Sequence, residues 1–255
     1  MAPTTLLGIL AAVGALLVTM LLEGTNPLAV VLLPALILVF GATFGAAIAG
    51  STTGDVRKIG SWFRVAFTAE RGPGTPELIA QLVDLATTAR REGMLPLENH
   101  ARRVRDPFLR RGLHMAIDGV PKEQLRAVLE AEIEVLRRED RVAARFFTRM
   151  GGYAPTIGII GTVIGLVQVL TTLDNPTTLG PLVAGAFVAT LWGVLSANFV
   201  WLPIAAKITR ISDLRAARMH VLLEGVAEIQ AGSSPRLIRQ RLQSMMPPSE
   251  AQHAA

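Results

Sequence analysis

The chain has 255 residues, 51% of them hydrophobic and only 5% aromatic, with a formal net charge of +5 and no cysteine. The missing cysteines exclude a disulfide frame and thiol chemistry, and the four histidines (His100, His114, His220, His253) show no metal-ligand spacing. The basic excess does not require nucleic acid, because its placement follows a membrane pattern.

Four stretches hold no charged residue: Met1–Leu22, Gly24–Gly54, Gly151–Leu173 and Asn175–Ala206. Each reaches the roughly 20 residues a helix needs to cross the hydrocarbon layer. The expected fold class is therefore all-α, a polytopic membrane protein with four transmembrane helices and a helical cytoplasmic domain. Residues 1–50 carry spans one and two, about 4–22 and 27–49; residues 51–150 form the cytoplasmic loop domain. Spans three and four, about 152–173 and 179–206, fill residues 151–206, and a cytoplasmic helix with a disordered tail completes 207–255.

The first apolar run, "TTLLGILAAVGALLVTMLL" (4–22), is read as a retained span. It lacks the basic n-region and cleavage site of a secretory signal, and it exceeds the usual h-region. All 25 Lys and Arg lie between Arg57 and Arg149 or between Lys207 and Arg241, and none falls in the links "EGTNP" (23–27) or "LDNPTT" (173–178). Basic residues stay on the cytoplasmic side of short connections. Both termini and the middle loop are thus expected on the cytoplasmic side of the membrane, with two short hairpins outside.

In the loop, "TPELIAQLVDLATTARR" (75–91) predicts a helix with Thr75 as N-cap, Pro76 at N1, and Leu78, Leu82, Leu85 and Ala89 on one face. Arg90 and Arg91 close it before Gly93, a C-cap residue. A second helical region is expected over 97–117, with Pro107 as its possible break, ending at the turn "DGVP" (118–121). A third runs from Pro121 to Met150 with a buried stripe of Leu125, Val128, Leu129, Ile133 and Leu136. Nothing before Gly151 interrupts it, so it can continue into span three. Residues 212–230 predict one more amphipathic helix, and the chain from Pro247 onward reads as disordered.

No phosphate-binding loop, nucleophile elbow, paired metal histidines or dinucleotide fingerprint occurs, which excludes the usual enzyme classes. No bound cofactor is implied either. The spans carry small residues at helical spacing instead. Gly161 and Gly165, with Gly158 and Thr162, mark span three; Gly185, Ala189, Gly193 and Ala197 recur every fourth residue in span four. Such stripes let membrane helices approach closely, against each other, a partner helix or copies of the same chain.

Thr162 and Thr190 admit two readings. Their hydroxyls either bond their own backbone or line a polar path for a small cation. Pro155 and Pro203 each remove a backbone donor; they either punctuate helix ends or bend helices near the cytoplasmic face. A path for protons or sodium normally contains an intramembrane carboxylate, and none of the four stretches holds one. If the chain conducts, the titratable group comes from another polypeptide.

"RMGGYAPTIGIIGTVIGLVQVL" and "LGPLVAGAFVATLWGVLSANFVWLPIAAKI", with "FGATFGA" (40–46) and "ARREGMLPLE" (89–98), resemble the flagellar motor stator A-subunits, the MotA/PomA family. The order of parts and the loop of about 100 residues are similar too. The resemblance implies a homo-oligomeric ring, a pentamer, around the single helices of a B-subunit (MotB/PomB-like) dimer whose membrane aspartate carries the ion. Passage of H+ or Na+ then turns the ring against the flagellar rotor switch protein. By the same resemblance Arg90 and Glu98 are rotor contacts, with Arg91 beside them, and Pro155 and Pro203 serve conformational coupling. Thr162 stands where sodium-type members carry threonine, which leans toward sodium. The alternative is a TolQ/ExbB-type energising subunit, which resembles the last two spans but usually has one span before the cytoplasmic domain. A scaffold that passes no ion is the third reading.

Overall fold

The computed structural model describes residues 3–67, 74–174 and 176–246, and every regular element among them is helical. In chain order, α1 (Pro3–Leu22) is followed by a 3-10 turn (Pro27–Val30), α2 (Leu33–Leu36), a π turn (Ile37–Gly41) and α3 (Ala42–Ala49). Then come α4 (Thr53–Phe67), α5 (Thr75–Glu92), α6 (Leu97–Ala101) and α7 (Pro107–Ile117). The long α8 (Lys122–Thr171) precedes α9 (Pro176–Ser196), a second π turn (Ala197–Trp201), α10 (Leu202–Gln230) and α11 (Pro235–Gln243). The chain forms two compact units, Met1–Glu70 with Asp140–Arg210, and Arg71–Glu139 with Ile211–Ala255.

Among the described residues three helices are long and apolar enough to cross a membrane, within Thr4–Leu22, Lys122–Thr171 and Thr177–Gln230. The stretch expected as span two starts later than Pro27. Asn26 caps the 3-10 turn by accepting the Leu28 N–H at 2.9 Å, and the apolar helix then runs over Leu33–Ala49. At 1.5 Å per residue that helix covers about 25 Å.

The first unit also contains α4, which the sequence reading did not predict. Its start is a reciprocal cap: the Thr52 N–H donates to Asp55 Oδ2 at 3.2 Å, and the Asp55 N–H donates to Thr52 Oγ1 at 3.3 Å. The Thr52 bonds hold the Asp55 carboxyl below its ordinary range. Ile59, Trp62 and Ala66 are buried in a cluster with Phe146 and Phe147 from α8. Ring centroids lie 5.6 Å apart for Trp62–Phe146 and 4.9 Å for Phe63–Phe147, in tilted and edge-on contacts.

In the second unit, the α5 face of Leu78, Leu82 and Leu85 is buried as the periodicity predicts, with Ala89 packed at its edge. Gly74, not Thr75, is the N-cap, and Pro76 falls in the first turn. Gly93 follows α5 with φ +90°, a conformation that L side chains rarely adopt. The region 97–117 is two helices: Asp106 accepts the Leu109 N–H at 2.9 Å and Pro107 opens α7, so the proline starts a helix. Leu125, Leu129 and Ile133 form the buried stripe of α8, but Val128 is 52% exposed, because it falls outside the arc covered by α7 and α10 residues. The helix expected over 212–230 is the later part of α10, and α11 is additional. Ser234 caps α11, whose Ile238 and Leu242 are fully buried. The tail from Pro247 lies outside the described residues.

A charged cluster joins α8, α10 and α11. Arg126 forks onto Glu224 with two bonds of 2.6 Å. Glu228, only 3% exposed, meets Lys122 at 3.2 Å and Arg241 at 2.8 Å. A hydrogen bond from Ser233, together with these cations, holds the Glu228 carboxyl below the usual range despite its burial.

Candidate functional site

The two spans that carry small residues pack on each other at backbone distance within the first unit. A Cβ placed on Gly158 would lie 2.9 Å from both the Ala189 carbonyl oxygen and the Thr190 Cα. On Gly165 it would lie 2.5 Å from the Ala186 Cβ, and on Gly193 2.5 Å from the Ala154 carbonyl oxygen. Larger residues cannot occupy this seam. Gly185 belongs elsewhere: its nearest neighbour is Leu32, 3.5 Å from such a Cβ.

This approach brings Thr162 and Thr190 into direct hydroxyl contact. Each hydroxyl also reaches the carbonyl four residues before the other threonine. Thr162 Oγ1 lies 3.1 Å from the Ala186 oxygen, and Thr190 Oγ1 lies 3.1 Å from the Gly158 oxygen. The pair is a crossed clasp between α8 and α9, half-buried, with four oxygens gathered at one point. Thr162 Oγ1 also lies 3.3 Å from its own backbone carbonyl at Gly158, which competes with the Ala186 carbonyl for the single hydroxyl proton. Farther along the fourth span, Ser196 bonds Gly193 at 3.2 Å and the Asn198 amide bonds Val194 at 2.9 Å, each within its own helical run. Among the described residues no group of His, Cys, Asp or Glu is arranged to hold a metal ion.

The two prolines lie inside helical runs and do not end them. Pro155 sits within α8, and its Cα would be 3.2 Å from a Cβ on Gly193. Pro203 is the second residue of α10, directly after the π turn Ala197–Trp201. A proline ring crowds the carbonyl four residues earlier, here that of Phe199, and the wider π turn accommodates it. Trp192 Nε1 ties α9 to the 3-10 turn by donating to the Val30 carbonyl at 2.7 Å.

Arg149 is a residue the sequence reading missed. Its guanidinium donates to the carbonyl of Gly50, the C-cap of α3, and fills the space beside that glycine. A cation at a helix C-terminus also complements the helix dipole. The available signal was an arginine next to a charge-free span, but no sequence spacing named its partner 99 residues away.

Arg90 and Glu98 both lie in the second unit, on either side of the Gly93 turn. Arg90 is exposed in the last turn of α5 and has no ion pair among the described residues. Glu98 opens α6 and pairs with Arg102 at 2.7 Å, which lowers its carboxyl pKa from the ordinary value. The pair leaves Glu98 40% exposed. The structure therefore couples Glu98 to Arg102, not to Arg90.

The MotA/TolQ/ExbB proton channel family matches residues 100–221. Motility protein A of Bacillus subtilis is 36% identical over 244 residues, 96% of this chain and 90% of the relative. The C. jejuni MotAB structure superposes with a TM-score of 0.93 at 30% identity, covering 97% of each chain. The flagellar MotAB stator complex from Bacillus subtilis gives 0.92 at 36% identity over 98% of each chain. The likeness thus extends through α1–α4, beyond the segment shared with the TolQ and ExbB branches, and the chain belongs to the MotA/PomA family of flagellar motor stator A-subunits.

Proposed function

We propose that this chain, as an ion-conducting stator subunit, forms a homo-oligomeric ring, a pentamer, around a B-subunit, and converts H+ or Na+ flow into torque on the rotor switch protein. In this reading it crosses the inner membrane four times with both termini in the cytoplasm. The observation that carries the reading is the crossed threonine pair. Spans without a carboxylate bring two hydroxyl and two carbonyl oxygens together at the α8–α9 seam, where a small cation can exchange water for protein oxygen. The carboxylate that receives the ion belongs to the B-subunit. Hard cations favour such oxygen sets, which supports sodium. Pro155 and Pro203 both weaken the backbone ladder toward the cytoplasmic end of the seam, where the helices bend as the ion passes. Arg90 and Glu98 supply the rotor contact from the second unit.

The test is complementation of a strain lacking this chain, with its B-subunit present. Thr162→Ala is expected to change the sodium dependence of swimming speed; an unchanged dependence removes the sodium assignment. Arg90→Glu and Glu98→Lys are expected to impair swimming while the complex assembles. Normal motility in both removes the rotor contact.

A further inference from the structure

A groove of about 450 Å³ opens between α1 and the α9–α10 junction, within the first unit. The volume lies in the range of small-ligand sites. Its walls are apolar: Gly8, Ile9 and Ala12 from α1 face Phe199, Pro203 and Ala206. One end is different. Lys207 and Thr4 meet there, with Lys207 Nζ 3.4 Å from Thr4 Oγ1, a long bond for an ammonium group. No carboxylate pairs with Lys207 among the described residues. The far end is Asn198, nine residues away along the helix, or roughly 13 Å at the α-helical rise.

We propose that this groove binds an anionic phospholipid, with the phosphate on Lys207 and an acyl chain along Gly8 and Pro203. The proposal rests on the topology given above, which puts Lys207 at the cytoplasmic membrane face. A single compact cation at that depth matches a negatively charged headgroup. Between Thr4, Thr5 and Lys207 at one end and Asn198 at the other, the apolar walls offer a peptide backbone no partner, whereas an acyl chain makes no such demand. Gly8 makes the floor deep: a Cβ there meets no heavy atom within 4 Å. An occupant would lie directly against Pro203 and Phe199 of the π-turn segment.

The experiment uses the full chain purified in mild detergent, titrated with phosphatidylglycerol or with phosphatidylcholine of the same acyl chains. Retained lipid per oligomer is read by native mass spectrometry. Phosphatidylglycerol is expected to be retained preferentially. Lys207→Gln should weaken it roughly tenfold, as loss of a charge-assisted contact predicts, and Lys207→Arg should restore it. Gly8→Leu, which fills the floor, should abolish retention of both lipids, while Gly14→Leu, equally unobstructed on the same helix but outside the groove, should not. Equal retention of the two lipids, indifference to Lys207→Gln, or normal retention in Gly8→Leu would each overturn the proposal. So would lipid found only on monomers, which would show that a neighbouring copy covers the groove. Topology is checked separately by impermeant maleimide labelling of Ser233→Cys in a chain without native cysteine. Labelling from outside the cell would strike the topology, and ion-dependent swimming tests the stator reading independently of either.

Discussion

Gly193→Ala tests whether the membrane seam is fixed at backbone contact. The added Cβ would lie 2.5 Å from the Ala154 oxygen, 3.1 Å from the Gly158 Cα and 3.2 Å from the Pro155 Cα. All three are backbone atoms, so no side-chain rotation relieves the clash. Restoring an ordinary contact of 3.4 Å separates the helices locally by about 0.9 Å, measured from the 2.5 Å approach. The same displacement at the clasp would lengthen both 3.1 Å crossed bonds beyond hydrogen-bonding range. Overpacking costs about 1–3 kcal/mol, and each lost interhelical bond about 0.6 kcal/mol in a membrane helix pair. Alanine returns about 1 kcal/mol through its helix propensity, so the clash wins by about 1–3 kcal/mol. For a chain of this size each kcal/mol lowers the melting temperature by about 2–4 °C. Thermal unfolding followed by tryptophan fluorescence should show Gly193→Ala melting about 2–12 °C below the wild type. Gly14→Ala, with nothing within 4 Å of its new Cβ, should melt with the wild type or above it. Equal melting of Gly193→Ala and the wild type would refute the close-packed seam.

The clasp itself predicts coupling: Thr162→Ala and Thr190→Val should each cost about 1 kcal/mol and the double variant less than their sum. Strictly additive melting shifts would mean that the two hydroxyls do not act together. Glu228 gives the second unit a pH dependence. Its folded pKa lies below the ordinary value of 4.5, so its stabilisation is fully present above that value and is lost as pH falls through the folded value. Glu228→Gln should therefore lower stability by about 1–3 kcal/mol at neutral pH, and its melting curve should converge on the wild type in acid; a gap independent of pH would contradict this. Arg149→Leu removes the donor to Gly50 at the end of α3. A loss of about 1–2 kcal/mol, with faster hydrogen exchange at Ser51, is the expected result.

The helical class was legible, and glycine spacing of four, a property of one helix face, marked both spans for close packing without naming the partner. The α5 stripe was legible for the same reason, and Gly93 as its end. Val128 shows where that logic stops. Periodicity places it beside Leu125 and Leu129, yet α7 and α10 cover a narrower arc than the stripe, and only tertiary packing decides that. The same limit hid α4, whose cap is the spacing Thr52–Asp55 but whose buried face is short and mixed with Arg57, Lys58 and Arg64. Pro107 was recognised as a break; the Asp106 cap decides that it begins α7. At the candidate site, the two threonines were found as polar residues in apolar helices. Their mutual contact depends on the offset between antiparallel helices, which no single-helix pattern contains. Arg149 was out of reach for the same reason.

The crossed geometry explains why threonine at both positions is more than one hydroxyl repeated. A threonine that bonds only its own preceding turn leaves its helix free to slide past a neighbour. Here each hydroxyl reaches the other helix at the carbonyl that its partner would otherwise use. Axial sliding of α9 against α8 therefore breaks both bonds together and exposes two carbonyls to the seam. Separation breaks the same two bonds and also loses the dispersion contact along Gly158, Gly165 and Gly193. Sliding and separation are thus both opposed at this pair, by the crossed hydrogen bonds and by close backbone contact. The π turn, and Pro203 at the start of α10 with its missing backbone donor, lie just beyond the seam. Under the proposed function, a cation at the clasp and a bend at Pro203 belong to one movement, and altering either is expected to shift the other.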